Sequence, residues 1–146
     1  MKILVLNGPN MRMLGKREPD IYGSTTYAQL VDRLEELGDE LGVEVNCVQS
    51  NHEGELVDVI CDARGDYDGI VINPAAFSHT SLAIHDALKA AAVPAVEVHV
   101  SHMVSREDIR RRLVTAPACV GMIAGLGVSG YEYALRALVE RSCGTV

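Results

Sequence analysis

Only three of the 146 residues are lysines, Lys2, Lys16 and Lys89. Lys2 opens the first apolar run, Lys89 falls late in a helical stretch, and no apolar pocket is evident around Lys16. Catalysis through a lysine Schiff base is therefore not expected. The four cysteines, Cys47, Cys61, Cys119 and Cys143, form no C-x-x-C pair. A zinc ribbon or dithiol redox motif is disfavoured, and Cys47 and Cys119, each in an apolar run, read as buried thiols. No apolar run approaches the roughly 20 residues that span a bilayer, and the N-terminus has no signal-peptide pattern, so a cytoplasmic protein is expected. Positive charge is not in excess. The formal net charge is −7, which argues against a nucleic-acid or membrane-surface partner. Neither a Walker A motif nor G-x-G-x-x-G follows the first apolar run, which weakens a nucleotide reading. Without linker, low-complexity tract or tandem repeat, residues 1–146 read as a single domain.

What is present is regular. Apolar residues make up 48% of the chain, enough to exclude disorder. Short runs rich in Val and Ile at 3–6, 43–48, 69–72, 95–98 and 119–124 read as strands. Between them lie helical patterns at 26–41, 53–64, 80–92 and 106–112, with a last one at 130–142. Thr26 with Gln29 and Ser129 with Glu132 fit capping boxes, and Asn51 and Ser105 are suited to begin the helices that follow them. Such alternation implies an α/β flavodoxin-like three-layer sandwich. Its five-stranded parallel sheet, in the order 2-1-3-4-5, would carry helices on both faces. Residues 8–24 are non-periodic and carry three Gly and two Pro, as a functional lid would.

Ligands of open parallel sheets bind beyond the carboxyl ends of the strands. Polar residues collect there: Asn7 and Asn10 after the first strand, Gln49 to Glu53 after the second, Asn73 and His79 after the third, and Glu97 to His102 at the fourth. Glu97 and His99, two apart on a strand, share a face. A carboxylate beside an imidazole favours the imidazolium and orients the ring, which makes His99 a candidate general acid. The same pair would equally serve as a structural contact. Arg106 and Arg110, four apart, would share a helix face, with Arg111 and Arg112 solvated. Tyr22 and Arg17 fall in the lid, and nearby guanidinium groups would make a tyrosine hydroxyl usable as a base. His52, His85 and His102 have no evident partner, and no metal site is expected.

These residues occur in segments that resemble the type II 3-dehydroquinate dehydratase family from end to end. The segments are Asn7–Asn10, Arg17–Gly23, Gln49–Glu55, Asn73–Ser81, Glu97–Ser101 and Gly125–Tyr131. The resemblance implies a reaction without metal or other cofactor. Tyr22 would take a proton from C2 of 3-dehydroquinate, with Arg17 supporting its charge and Arg106 adding to the positive field. His99, backed by Glu97, would protonate the leaving C1 hydroxyl, and Asn10 would stabilise the enolate through water. Asn73, Ser101 and the Val100–Ser101 backbone would hold the carboxylate, with His79 and Arg110 on ring hydroxyls. The resemblance also implies a homododecamer of four trimers, with Asp86 reaching a neighbouring subunit's site. Met11-Arg12-Met13, Phe77-Ser78 and His85 depart from the family's usual Leu-Asn-Leu, Tyr-Thr and Arg.

Two other functions fit the same sequence. One is the same reaction in quinate breakdown. The other is a flavodoxin-like module that binds FMN or another small ligand without turnover, which the missing phosphate loop disfavours.

Overall fold

A computed structural model describes residues 1–16 and 18–144. Five parallel strands, β1 (Lys2–Asn7), β2 (Glu44–Gln49), β3 (Gly69–Asn73), β4 (Ala95–His99) and β5 (Gly121–Ala124), form one sheet in the order β2-β1-β3-β4-β5. The helices are a single turn α1 (Pro19–Tyr22), then α2 (Tyr27–Leu41), α3 (Glu53–Asp62), α4 (Leu82–Ala91) and α5 (Ser129–Ser142). Asn7 pairs in register with both Gln49 and Asn73, so three polar side chains end their strands side by side.

Strand alternation divides the core into two layers. Ile3, Val5, Val71, Val96 and Val98 pack with Leu30, Leu34 and Leu37 of α2 and Leu135 and Leu138 of α5. Leu4, Leu6, Ile70 and Ile72 face Leu56 and Ile60 of α3 and Ile84 and Leu88 of α4. The same parity sorts the polar ends of the strands. Asn7 and Asn73 continue the α2/α5 face below Val5 and Val71. Glu97 and His99 lie on the opposite face, between Val96 and Val98 and beyond. Gly8 lets the chain after β1 run against the loop after β3: its N–H donates to the Asn73 carbonyl at 2.8 Å, and a Cβ there would collide with the Pro74 carbonyl.

Several helix signals behave as expected and several do not. Thr26 caps α2 in a full capping box with Gln29. Ser129 is already the first residue of α5 and makes no capping bond, because the preceding turn satisfies the first amides: Gly130 and Tyr131 donate to the carbonyls of Gly127 and Val128. His52, not Asn51, precedes α3, and Ser50 Oγ accepts the His52 N–H at 2.9 Å. The largest correction concerns residues 106–112, which form no α-helix. Two separate 3₁₀ turns, Met103–Ser105 and Asp108–Arg110, flank extended backbone at Arg106 and Glu107. A seven-residue helix is too short to nucleate alone, and contacts with the chain around α4 hold this segment instead. Cys47 and Cys119 are half-buried rather than fully buried, and burial pushes both thiols up to about 12.

Candidate active site

The carboxyl ends of β1, β3 and β4 open into a cavity of about 140 Å³. Asn10, Asn73, His79 and His99 line it from the sheet side, together with Val100 and Ser101. Tyr22, Arg106 and Arg110 close it from the lid and the 3₁₀ segment. Tyr22, Val100, Ser101 and Arg106 also line a wider groove of about 710 Å³ against Gly125–Ser129. Of the other expected site residues, Glu97 lies buried behind His99, Asp86 is exposed on α4 outside the cavity lining, and Arg17 lies outside the described residues.

One side of the cavity rests on a buried chain of three groups. His99 Nε2–H donates to Glu97 Oε1 at 2.7 Å, and Thr115 Oγ1 donates to Glu97 Oε2 at 2.6 Å. Each carboxylate oxygen therefore has its own donor, which a buried charge requires. Glu97 and Thr115 are 0% exposed and His99 4%, so water does not compete. Thr115 was invisible to sequence reasoning, because it follows a non-helical stretch 18 residues away with no spacing that points back to Glu97.

The opposite wall is cationic. Arg106 donates to the Tyr22 hydroxyl at 2.9 Å and to Ser101 Oγ at 3.3 Å, and its guanidinium lies 5.7 Å from the Tyr22 ring centre. The hydrogen bond to Tyr22 is the main reason the Arg106 pKa lies above its ordinary value. Glu107 joins the two arginines: Arg110 Nε donates to Oε1 at 2.7 Å and Arg106 Nε to Oε2 at 3.3 Å. Its own backbone N–H, then Arg110, then Arg106 draw the Glu107 carboxyl down to about 2. Arg106 and Arg110 thus converge through a shared carboxylate rather than a helix face. Arg111 turns outward to Asp108 at 3.1 Å.

His79 and His85 act as straps. His79 Nδ1–H donates to the Arg112 carbonyl at 2.8 Å, His85 Nδ1–H to the Val114 carbonyl at 2.9 Å, and the Val114 N–H to the Ser78 carbonyl at 2.6 Å. With its proton on Nδ1, His79 has Nε2 as a hydrogen-bond acceptor. Asn10 sits in the left-handed region at φ 67°, which Asn tolerates better than most residues. Its N–H donates to Asn51 Oδ1 at 3.0 Å, and Gln49 Nε2 donates to the same oxygen at 3.0 Å. Asn51 thus supports Asn10, which explains why it does not cap α3. Among the described residues no group of three His, Cys, Asp or Glu side chains is arranged to hold a metal ion.

The model of the class II dehydroquinase family matches residues 1–139. A 3-dehydroquinate dehydratase of Clostridium perfringens is 53% identical over 97% of this chain and 99% of its own length. One from Geotalea daltonii is 54% identical, covering 94% of this chain and 96% of its own. The crystal structure of a type II dehydroquinase from Butyrivibrio crossotus superposes with a TM-score of 0.92 at 47% identity, covering 94% of this chain and 97% of that one.

Proposed function

The chain belongs to the class II dehydroquinase family, and we infer that it eliminates water from 3-dehydroquinate to give 3-dehydroshikimate in shikimate biosynthesis. The observation that carries the reading is the facing of two couples across one cavity, phenol with guanidinium and imidazole with carboxylate. Water loss beside a ketone needs a base, an acid and a means of holding enolate charge.

In this mechanism Tyr22 takes the C2 proton, and the C–H electrons move onto the ketone oxygen as an enolate. Arg106, 2.9 Å from the phenol oxygen, supplies positive charge beside it. Arg17 adds to it by the family resemblance alone. Asn10 holds a water against the enolate oxygen. The enolate then collapses, C1–C2 becomes a double bond, and the C1–O bond breaks. His99 gives its proton to the departing oxygen, which leaves as water, and Glu97 balances the imidazolium. Asn73, Ser101 and the Val100–Ser101 backbone take the carboxylate, while His79 and Arg110 take ring hydroxyls.

The product is a conjugated enone. Ultraviolet absorbance should rise when the protein meets 3-dehydroquinate, and a flat trace with folded protein sinks the reading. Borohydride added with substrate should leave activity intact, because the reading uses no lysine.

The reading extends to a cytoplasmic homododecamer of four trimers, with Asp86 completing a neighbour's site. In its support, Leu82, at 66% exposure, lies one turn from exposed Asp86 on the outer face of α4. Closed symmetry is the usual outcome of homo-oligomer assembly. No helix among the described residues is long and apolar enough to cross a membrane. Light scattering should report a particle of twelve chains. A fully active monomer would refute both the assembly and the role of Asp86.

A further inference from the structure

Tyr131, on α5, is fully buried, and nothing in the chemistry above uses it. Its hydroxyl donates to Asn7 Oδ1 at 2.6 Å and accepts from Asn73 Nδ2 at 2.8 Å. Burial raises its pKa well above the ordinary phenol value, so the proton stays on the oxygen. Asn73 Oδ1 in turn accepts the Ala75 N–H at 3.1 Å.

These bonds have a direction. A phenol has one proton, and Asn7 takes it. The Tyr131 oxygen can then meet Asn73 only as an acceptor, so Asn73 must turn its NH₂ group towards it. The Ala75 N–H requires the carbonyl side of Asn73 on the other flank. Carboxamide nitrogen and oxygen are otherwise interchangeable in shape, yet here both flanks force one orientation. The second Nδ2 proton is directed at Met11 Sδ, 3.6 Å away, a weak acceptor on the cavity wall. A ligand oxygen would displace that contact at little cost.

We infer that Tyr131 is a positioning residue that, together with the Ala75 N–H, fixes the polarity of Asn73, so that the cavity meets the ligand's carboxylate with an N–H donor rather than a carbonyl. The inference rests on the dehydratase reading for the identity of the ligand and for the role of Asn73. It assigns Tyr131 a part in discriminating a carboxylate from neutral groups of the same shape. A site built around a fixed donor rejects a ligand that presents a donor there.

The test compares equilibrium binding of 3-dehydroshikimate and its carboxamide to wild type and to Tyr131→Phe, with thermal unfolding confirming the fold. Wild type should prefer the carboxylate. Tyr131→Phe should lose about 10-fold of that preference, the scale of one hydrogen bond to a charged group. In kinetics KM should rise about 10-fold, while kcat changes by less than about threefold. A folded Tyr131→Phe with undiminished preference overturns the inference and leaves Tyr131 as packing alone. Should Tyr131→Phe fail to fold, Asn7→Leu gives a second reading. It removes the acceptor of the phenol proton, which then turns to Asn73 and competes with the Ala75 N–H for the direction of its amide, so the preference should fall again. Undiminished preference in Asn7→Leu is equally fatal. A wild type that turns over substrate but binds both ligands alike sinks this inference alone, whereas an inactive wild type sinks the dehydratase reading instead.

Discussion

Two buried polar clusters flank the sheet at its carboxyl edge, one on each face, and they are built on opposite plans. On the α3/α4 face, the Glu97 carboxyl group accepts from His99 and Thr115. On the α2/α5 face, Asn7, Tyr131 and Asn73 form a neutral chain. Among the described residues no buried side-chain nitrogen or oxygen is left without a partner, so both clusters are fully satisfied. The difference lies in what each can do. A neutral, fully bonded chain avoids desolvating a charge and can only orient its members. A buried carboxyl–imidazole pair must have its polar atoms satisfied, here by two donors on one carboxyl group, and a titratable pair of this kind can pass a proton. One cluster therefore places a carboxylate behind an imidazole on the cavity wall, and the other fixes the direction of an amide on it.

The comparison can be broken most severely at the two groups proposed to carry protons. His99→Ala should lower kcat about 10²- to 10⁴-fold, the usual range for a missing proton donor, and Tyr22→Phe should do the same from the opposite wall. Steady-state kinetics with circular dichroism checks both, and near-normal turnover in either variant would move the acid or the base elsewhere. Glu97→Ala should come next and strike twice. It leaves the buried His99 N–H and the Thr115 hydroxyl without their acceptor, so stability in urea unfolding should fall by more than the cost of one such group, about 1–3 kcal/mol. Turnover should fall about 10- to 100-fold, less than in His99→Ala, because Glu97 orients the donor without being it. Thr115→Val sharpens the contrast further. It strips one hydrogen bond from the carboxylate with little change of shape and should cost about 1–3 kcal/mol of stability. The effect on turnover should exceed that on KM, the reverse of Tyr131→Phe.

The smallest effect is in acid. The Glu107 carboxyl is drawn down to about 2, so its contribution is complete above the ordinary carboxylate range and is lost only as pH falls towards about 2. A carbon-13 titration of the Glu107 carboxyl should give a midpoint near that value. A midpoint in the ordinary carboxylate range would mean that the Arg106–Glu107–Arg110 bridge does not form in solution. Because Glu107 is exposed, the accompanying change in stability should be slight.

How much of this was legible beforehand follows the range of the forces involved. Strands read well because most of their apolar runs face a layer on each side, and the helices between them imply parallel pairing while leaving the strand order the least determined part. Glu97 and His99 read well because two-residue spacing on a strand is enough to pair them. Thr26 and Gln29 read well because a capping box is local. Residues 106–112 misled because their pattern looked helical, while the forces that decide them come from Ser78, His79 and His85. Asn51 misled because a more distant donor, the Asn10 amide, claims its side chain. Thr115 and Tyr131 could not have been singled out, since their partners lie 18 and 124 residues away in sequence.

The strapping of residues 112–114 to the start of α4 has a consequence for how the molecule opens. Ile109 and Val104 are 75% and 65% exposed, so the arginine-bearing segment buries little apolar surface of its own. Its free energy of local opening should lie far below that of the sheet, and its amides should exchange with deuterium while those of β1 and β3 remain protected. A ligand held between His79 and Arg110 joins both sides of that weak seam. Occupancy should then slow exchange across 106–114 more than anywhere else, so the segment would report binding as a change in protection before any product forms.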